Sequence, residues 1–369
     1  MKRLRWQIVI VILALGAIAV LLFSQKPVVT EAPYEEPEPV AGGAYTEALI
    51  GELVRLNPVL DFYNAADRDV DRLIFSSLVR FDATGLAQAD LAESWGISRD
   101  GTVYNVSLNP DAVWHDGKPV TAVDVVYTVD LLRSQELPIP DDVLHMWEDI
   151  EVEVLDDHWV QFRLPEPFSP FLDYLTFGIL PFHILGELTP DELVDDPFNL
   201  SPIGSGPYRF DRMIVEDSEI AGVTLLAHED HHFGRPFIDE ITFRYYPDDV
   251  SALEAYRDGE TQGIGRIAPK AFGDTSIDSD LNLYTGRLPR LSMIFLNLDN
   301  PETPFFQDVE IRRALLMGIN RQRLIDRVLD GQAAIADGPI LPNTWAHYEG
   351  VERVPYSAEE ALKIIKNAG

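Results

Sequence analysis

From Ala44 onward, apolar and polar positions alternate with short periods, and two periods recur through the chain. VYNVSL, from Val103, and ITFRYY, from Ile241, place β-branched and aromatic residues at every second position, which predicts strands. Helical spacing takes over elsewhere. Val125, Val126, Val129 and Leu132 fall on one face behind Thr121, an N-cap with Asp124 three residues on. Asp308 opens and Gly331 closes a second helical stretch, VEIRRALLMGINRQRLIDRVLDG, in which Leu315, Leu316, Ile319, Leu324 and Val328 can pack. Ser357 and Glu360 form a capping box ahead of ALKIIKNAG. Strands interleaved with helices predict an α/β or α+β architecture.

The N-terminal pattern is different. Sixteen uncharged residues begin at Ile8 and end at Phe23, preceded by Lys2, Arg3 and Arg5. With Trp6 and Gln7 a helix there rises about 27 Å, close to a ~30 Å hydrocarbon layer. No small-x-small cleavage motif follows, so residues 1–24 are expected to form an uncleaved membrane anchor, the alternative being a cleaved signal peptide. SQKPVVTEAPYEEPEPVAGG comes next, rich in proline and glutamate, and predicts a solvated linker over residues 25–43.

Composition narrows the function. The 369 residues exceed one ordinary core, so several domains are expected. A formal charge of −32 repels polyanions and disfavours nucleic-acid binding. There is no cysteine, which removes disulfides, thiolate nucleophiles and Cys-based zinc sites. His115 and Asp116 read as a turn before the helix behind Thr121. HEDHH, from His228 to His232, could supply imidazoles and carboxylates to a metal, but a surface β-turn is the preferred reading. Gly204-Ser205-Gly206 does not satisfy the G-x-S-x-G elbow, and the acid pairs Asp141/Asp142, Asp195/Asp196 and Asp248/Asp249 sit in loop-like contexts. No catalytic constellation, metal site or cofactor is expected.

Six segments, in this order, carry a resemblance. They are LNPVLDFYNAADRDVDRLIFSSLVRFDATG, LAESWGISRDGTVYNVSLNPDAVWHDGKPVTAVDVVYT, GSGPYRF, FGRPFIDEITFRYYPD, IFLNLDNPETPFFQDVEIRRALLMGINRQRLIDRVLDG and YSAEEALKIIKNAG. Together they resemble the family 5 extracellular solute-binding proteins, the peptide/nickel-type receptors of ABC importers. The resemblance implies an α/β fold of two lobes, periplasmic-binding-protein-like, with an extra subdomain in the first. Residues 44–66 and 180–267 would form the first lobe, 67–179 the inserted subdomain and 268–369 an incomplete second lobe. Family members continue further, so this chain is expected to be an N-terminal part, with apolar groups such as Ile294, Phe295 and Leu296 exposed. Absence of a lipid-modified cysteine departs from the usual family pattern.

The resemblance also implies a function without chemistry: an extracytoplasmic receptor that closes on a peptide or similar small solute and delivers it to permease and ATPase subunits. Its ligand-facing segments map to the loop holding Tyr63 and Asn64, a ring and an amide, and to DDVLHMWED, where Met146 and Trp147 could wall a ligand. One alternative is a membrane-anchored solute sensor; another is a metal-dependent hydrolase or metal-binding protein using the His228–His232 cluster.

Overall fold

A computed structural model describes residues 39–268, 282, 284, 286, 290–342 and 344–368. The apolar run beginning at Ile8 and most of the linker lie outside the described residues. Among the described residues no helix is long and apolar enough to cross a membrane.

The first sheet is assembled from distant pieces of chain. Strand β1 (Ala44–Ile50) lies parallel to β10 (Glu240–Tyr246), with Tyr45 opposite Ile241 and Glu47 opposite Phe243. On the other edge of β1 runs β11 (Gly263–Ile264), also parallel. A meander of β8 (Tyr208–Glu216), β9 (Glu219–Ala227) and β10 completes the five-stranded order β11-β1-β10-β9-β8. Parallel pairing of β1 with β10 requires a long crossover. The crossover here contains the rest of the N-terminal architecture.

Helix α1 (Ala65–Ile74) follows β1 and buries Ala66, Asp67, Val70, Asp71 and Ile74 along one stripe. Strands β2 (Val79–Phe81) and β3 (Ala87–Ala89) make a hairpin, and a four-stranded antiparallel sheet follows in the order β4-β5-β7-β6. Its members are β4 (Ala92–Ile97), β5 (Val103–Leu108), β6 (Glu151–Asp156) and β7 (Trp159–Arg163). Helices α2 (Ala122–Leu132) and α3 (Asp141–Glu148) lie between β5 and β6 in the chain. The Thr121 box forms as its sequence predicts: Asp124 Oδ2 accepts from the Thr121 backbone N–H at 2.7 Å. Gly117, at φ +82°, turns the chain ahead of it.

Two glycines weld these layers together. At Gly204 an added Cβ would collide with the Ile74 carbonyl, and at Gly206 it would stand 2.7 Å from the Ile74 carbonyl carbon. The α1 C-terminus therefore packs directly on GSGPY backbone, and Gly206 N–H donates to Ile74 O at 2.8 Å.

Further along come α4 (Asp249–Arg257), α5 (Val309–Gly318), α6 (Arg321–Val328) and α7 (Ala358–Asn367). The helical stretch expected after Asp308 is broken. Gly318 ends α5 and Asn320 caps α6 instead, its Oδ1 accepting from Arg323 N–H at 2.9 Å. Helix α7 packs on α5 through small residues: Ala314 and Ala361 are buried, and the Ser357 N–H donates to Met317 O at 2.9 Å. At Ser357 one half of the expected box is present, the hydroxyl accepting from Glu360 N–H at 3.3 Å.

Candidate functional site

The loop between β1 and α1 is held by buried amides. Asn57 Nδ2 donates to Asn199 Oδ1 at 2.9 Å, while Asn199 Nδ2 donates to Leu193 O at 2.7 Å. Both side chains are inaccessible to water, so each bond replaces one that solvent would otherwise make. The loop therefore has a fixed base, and Tyr63 projects from it, 76 % exposed.

Asn64, beside it, is committed to the fold. Its Oδ1 accepts from Ala66 N–H at 3.0 Å and from Asp67 N–H at 3.4 Å, capping α1, and its Nδ2 donates to Glu52 O at 2.9 Å. Both ends of the amide that the sequence suggests for a ligand are used internally. Trp147 is likewise a core side chain, 1 % exposed. Its ring lies 5.5 Å from Phe177, 6.0 Å from Phe171 and 6.3 Å from Phe162, in the layer of the four-stranded sheet. Met146 is half-buried against that core. Tyr63 and Asn64 thus sit together at the start of α1, Met146 and Trp147 together at the end of α3, and no hydrogen bond or ring contact joins the two pairs among the described residues.

Under the loop lies an acidic cluster. Asp67 accepts from Val54 N–H at 3.0 Å and Arg55 N–H at 2.9 Å, yet burial outweighs those bonds and pushes its carboxyl up to about 6. Burial likewise pushes Asp61 up to about 7, against the pull of Arg68 and Arg72. Asp71 is raised well above the usual carboxylate range, by burial first and by Asp61 and Asp67 next. The Tyr245 hydroxyl, also raised by burial and then by Asp67 and Asp71, faces this cluster from β10. Asp67 and Asp71 are four apart within the apolar stripe of α1, and that spacing was the available signal.

The histidines form a joint. His115 Nδ1 accepts from Gly204 N–H at 3.1 Å and its Nε2 donates to Gly206 O at 3.1 Å, fixing one neutral tautomer. Burial lowers its pKa to about 3. The expected turn is present, His228 O accepting from His231 N–H at 3.4 Å around the exposed Glu229 and Asp230, but the His228 side chain is buried, 6 % exposed, and its Nδ1 donates to the same Gly206 carbonyl at 3.2 Å. His232 Nε2 bonds Asp90 Oδ1 at 3.2 Å. The rings are thereby spent tying β9 and the GSGPY loop to the β2–β5 region. Among the described residues no group of three or more His, Asp or Glu could hold a metal ion.

Two concavities stand out among the described residues. One of about 400 Å³ is lined by Asp156, Asp157, His158 and Trp159, four consecutive residues, and is the hollow of a hairpin turn. The other, about 320 Å³, opens between β1, β10 and α1 beside Tyr45 and Glu47, residues to which the sequence alone drew no attention. It is the one of the two framed by separate elements.

Comparison with known proteins is consistent across this framework. The family described as bacterial extracellular solute-binding proteins, family 5 Middle, matches residues 87–369. The oligopeptide-binding protein AppA of Bacillus subtilis is 27 % identical over 343 residues, covering 90 % of this chain and 60 % of its own. Its structure in complex with a nonapeptide superposes with a TM-score of 0.64 and is covered to 65 %. A putative ABC transporter peptide-binding protein of Brucella ovis is 29 % identical over 282 residues, 76 % of this chain and 51 % of its own. HbpA2 of Haemophilus parasuis, 22 % identical over 89 % of this chain and 67 % of its own, shares the fold with a TM-score of 0.73. The chain therefore spans about half to two thirds of the length of these relatives.

Proposed function

Because the chain belongs to the bacterial extracellular solute-binding proteins of family 5, we propose that it is the extracytoplasmic receptor part of an ABC importer that carries peptides or similar small solutes. The carrying observation is the family match over residues 87–369. Named relatives are peptide-binding proteins, and peptide is the solute class this reading transfers. Delivery goes to permease and ATPase subunits, and no covalent step is involved.

Within that reading the five-stranded sheet, residues 44–66 and 180–267, is the first lobe, residues 67–179 are its inserted subdomain, and residues 268–369 belong to the second lobe. Ligand enters against the first lobe near Tyr63, whose ring is free to stack on it. Asn64 serves by capping the helix behind that ring, Trp147 by filling the subdomain core, and Met146 by closing its edge. The run beginning at Ile8 anchors the receptor beside its permease.

Calorimetry of the full chain with a defined peptide series, from dipeptides to a nonapeptide, tests this. The expected result is saturable one-to-one binding, weakened by roughly 1–3 kcal/mol in Tyr63→Ala. Absence of binding across the series overturns peptide carriage. Carbonate extraction tests the anchor: the protein stays in the membrane pellet with its N-terminus intact, whereas release of a shortened chain refutes anchoring.

A further inference from the structure

Two turns from distant parts of the chain meet tip to tip. The β2–β3 hairpin reverses through residues 82–86, where Asp82 Oδ1 accepts from Thr84 N–H at 2.8 Å, from the Thr84 hydroxyl at 2.7 Å and from Leu86 N–H at 3.0 Å. Asp82 Oδ2 accepts from Gln88 Nε2 at 3.1 Å, and Gly85 N–H donates to Asp82 O at 3.0 Å. These bonds use the donors of the tip and leave the Thr84 carbonyl for an outside partner. That partner is Trp345, whose N–H donates to Thr84 O at 3.2 Å.

The facing turn is equally self-contained. The Thr344 hydroxyl donates to Leu341 O at 2.8 Å, His347 N–H donates to Thr344 O at 3.0 Å, and His347 Nδ1 donates to Ile340 O at 3.3 Å. Large side chains around the contact stay mostly in water: Trp345 is 69 %, Tyr348 71 % and Leu86 45 % exposed. Two preformed turns joined by a backbone hydrogen bond in wet surroundings can part without disturbing either one, because water takes over both groups. The joint at Gly204 and Gly206 is the opposite case. There backbone packs directly on the Ile74 carbonyl, with no room for water between.

We propose that the Thr84–Trp345 contact is a reversible latch between the β2–β3 hairpin and residues 290–368, made when these two parts close on each other and broken when they open. Asp82 is its positioning residue and acts through the Thr84 carbonyl that it holds in place. The latch itself rests on the two turns; that bound solute engages it rests on the solute-receptor reading.

Amide hydrogen exchange of the full chain, read residue by residue, tests the latch at Trp345, far in sequence from the substituted position. Asp82→Ala removes the acceptor that organises the hairpin tip and is expected to speed Trp345 exchange about two- to tenfold, the factor that one backbone hydrogen bond of ordinary net strength supplies. Asp82→Asn keeps Oδ1 as an acceptor and is expected to restore the wild-type rate. His347 N–H, bonded within its own turn, is expected to keep its rate throughout. Equal Trp345 exchange in wild type and Asp82→Ala overturns the latch, and so does acceleration of His347 together with Trp345, which reports unfolding of the turn. If Asp82→Ala does not fold, wild-type exchange with and without a saturating peptide decides, the bound peptide being expected to slow Trp345. A peptide that binds by calorimetry yet leaves Trp345 exchange unchanged overturns the latch and leaves the receptor reading intact. If no peptide binds while Trp345 exchange follows Asp82, peptide carriage falls and the latch stands.

Discussion

The two halves of the described chain contain similar helices and bury them very differently. Between residues 44 and 268, sheets give every amphipathic stripe something to cover: Val70 and Ile74 of α1, and Val125 and Val129 of α2, are all inaccessible. Between residues 290 and 368, burial is confined to Ala314, Ile325 and Ala361, while Ile294 is 75 %, Phe295 83 % and Val328 70 % exposed. Leu296, grouped with Ile294 and Phe295 in the sequence reading, is half-buried. Periodicity predicts which face of a helix is apolar, but burial depends on what else is present. A small-residue contact such as Ala314 against α7 orders two helices without removing much apolar surface from water.

The sharpest test of that contrast uses one residue type in both halves. Phe171 is fully buried among Tyr104, Trp147 and Phe162, and Phe171→Ala is expected to cost about 3–5 kcal/mol in urea unfolding, from lost burial and the cavity left behind. Phe295→Ala removes a ring that water already reaches and is expected to change stability by less than about 0.5 kcal/mol. A comparable loss at both sites would erase the distinction between the halves.

Glycines sharpen it further. Gly204→Ala drives a methyl into the Ile74 carbonyl, a backbone atom that cannot rotate away, and is expected to cost about 1–3 kcal/mol or more. Gly318, at the end of α5, has nothing nearer than Ala361 Cβ at 3.7 Å. There Gly318→Ala is expected to be neutral or to stabilise by up to about 1 kcal/mol, because alanine loses less backbone entropy in a helix. Melting temperatures of the two variants should therefore move in different directions or differ clearly in size.

What could be read from sequence follows the same division between local and distant causes. The Thr121 and Asp124 box and the strands at Val103 and Ile241 depend on neighbours a few residues away, and they form at those positions. The break after Gly318 was written locally too, in Asn320, but the continuous apolar pattern from Leu315 to Val328 concealed it. His228 could not have been placed from HEDHH alone, since its partner is a carbonyl 22 residues back that a histidine 91 residues from that carbonyl also shares. Asn64 and Trp147 have ligand-like chemistry, but only their occupied partners reveal that they serve the fold. Glu47 looks like an ordinary polar position in an alternating strand until β10, β11 and α1 are assembled around it.

Titration should report on residues 44–268 almost alone, because the shifted buried groups are there. Asp61 and Asp67, near 3.8 when unfolded, have folded values of about 7 and about 6, so the folded state holds more protons and their contribution declines as pH rises from about 4 to 7. His115 and His231 behave oppositely. Burial depresses them from 6.5 to about 3 and about 4, so the unfolded state binds protons first and stability is lost as pH falls below 6.5. Across pH 4 to 7 the two sets oppose each other. Asp71→Asn removes one buried acid whose carboxyl is raised on folding, and with it a contribution that declines as pH rises, so the variant's unfolding free energy should climb more steeply with pH over that window than the wild type's. Urea midpoints at half-unit pH steps measure the slope; an unchanged slope would remove the acidic cluster from the account.

The smallest expected effects compare one capping device in each half. Ser357→Ala removes a hydroxyl that accepts a single 3.3 Å bond at the exposed start of α7, and a loss of about 0.5–1 kcal/mol is expected. Asn64→Ala should cost more, about 1–2 kcal/mol, because it also frees Glu52 O and loosens the loop that carries Tyr63. Asn64→Asp separates the two contributions: a carboxylate caps α1 as well as an amide does but cannot donate to Glu52 O. If Asn64→Asp restores stability while peptide affinity stays low, the bond to Glu52 O positions the loop. If both recover together, capping is all that Asn64 contributes.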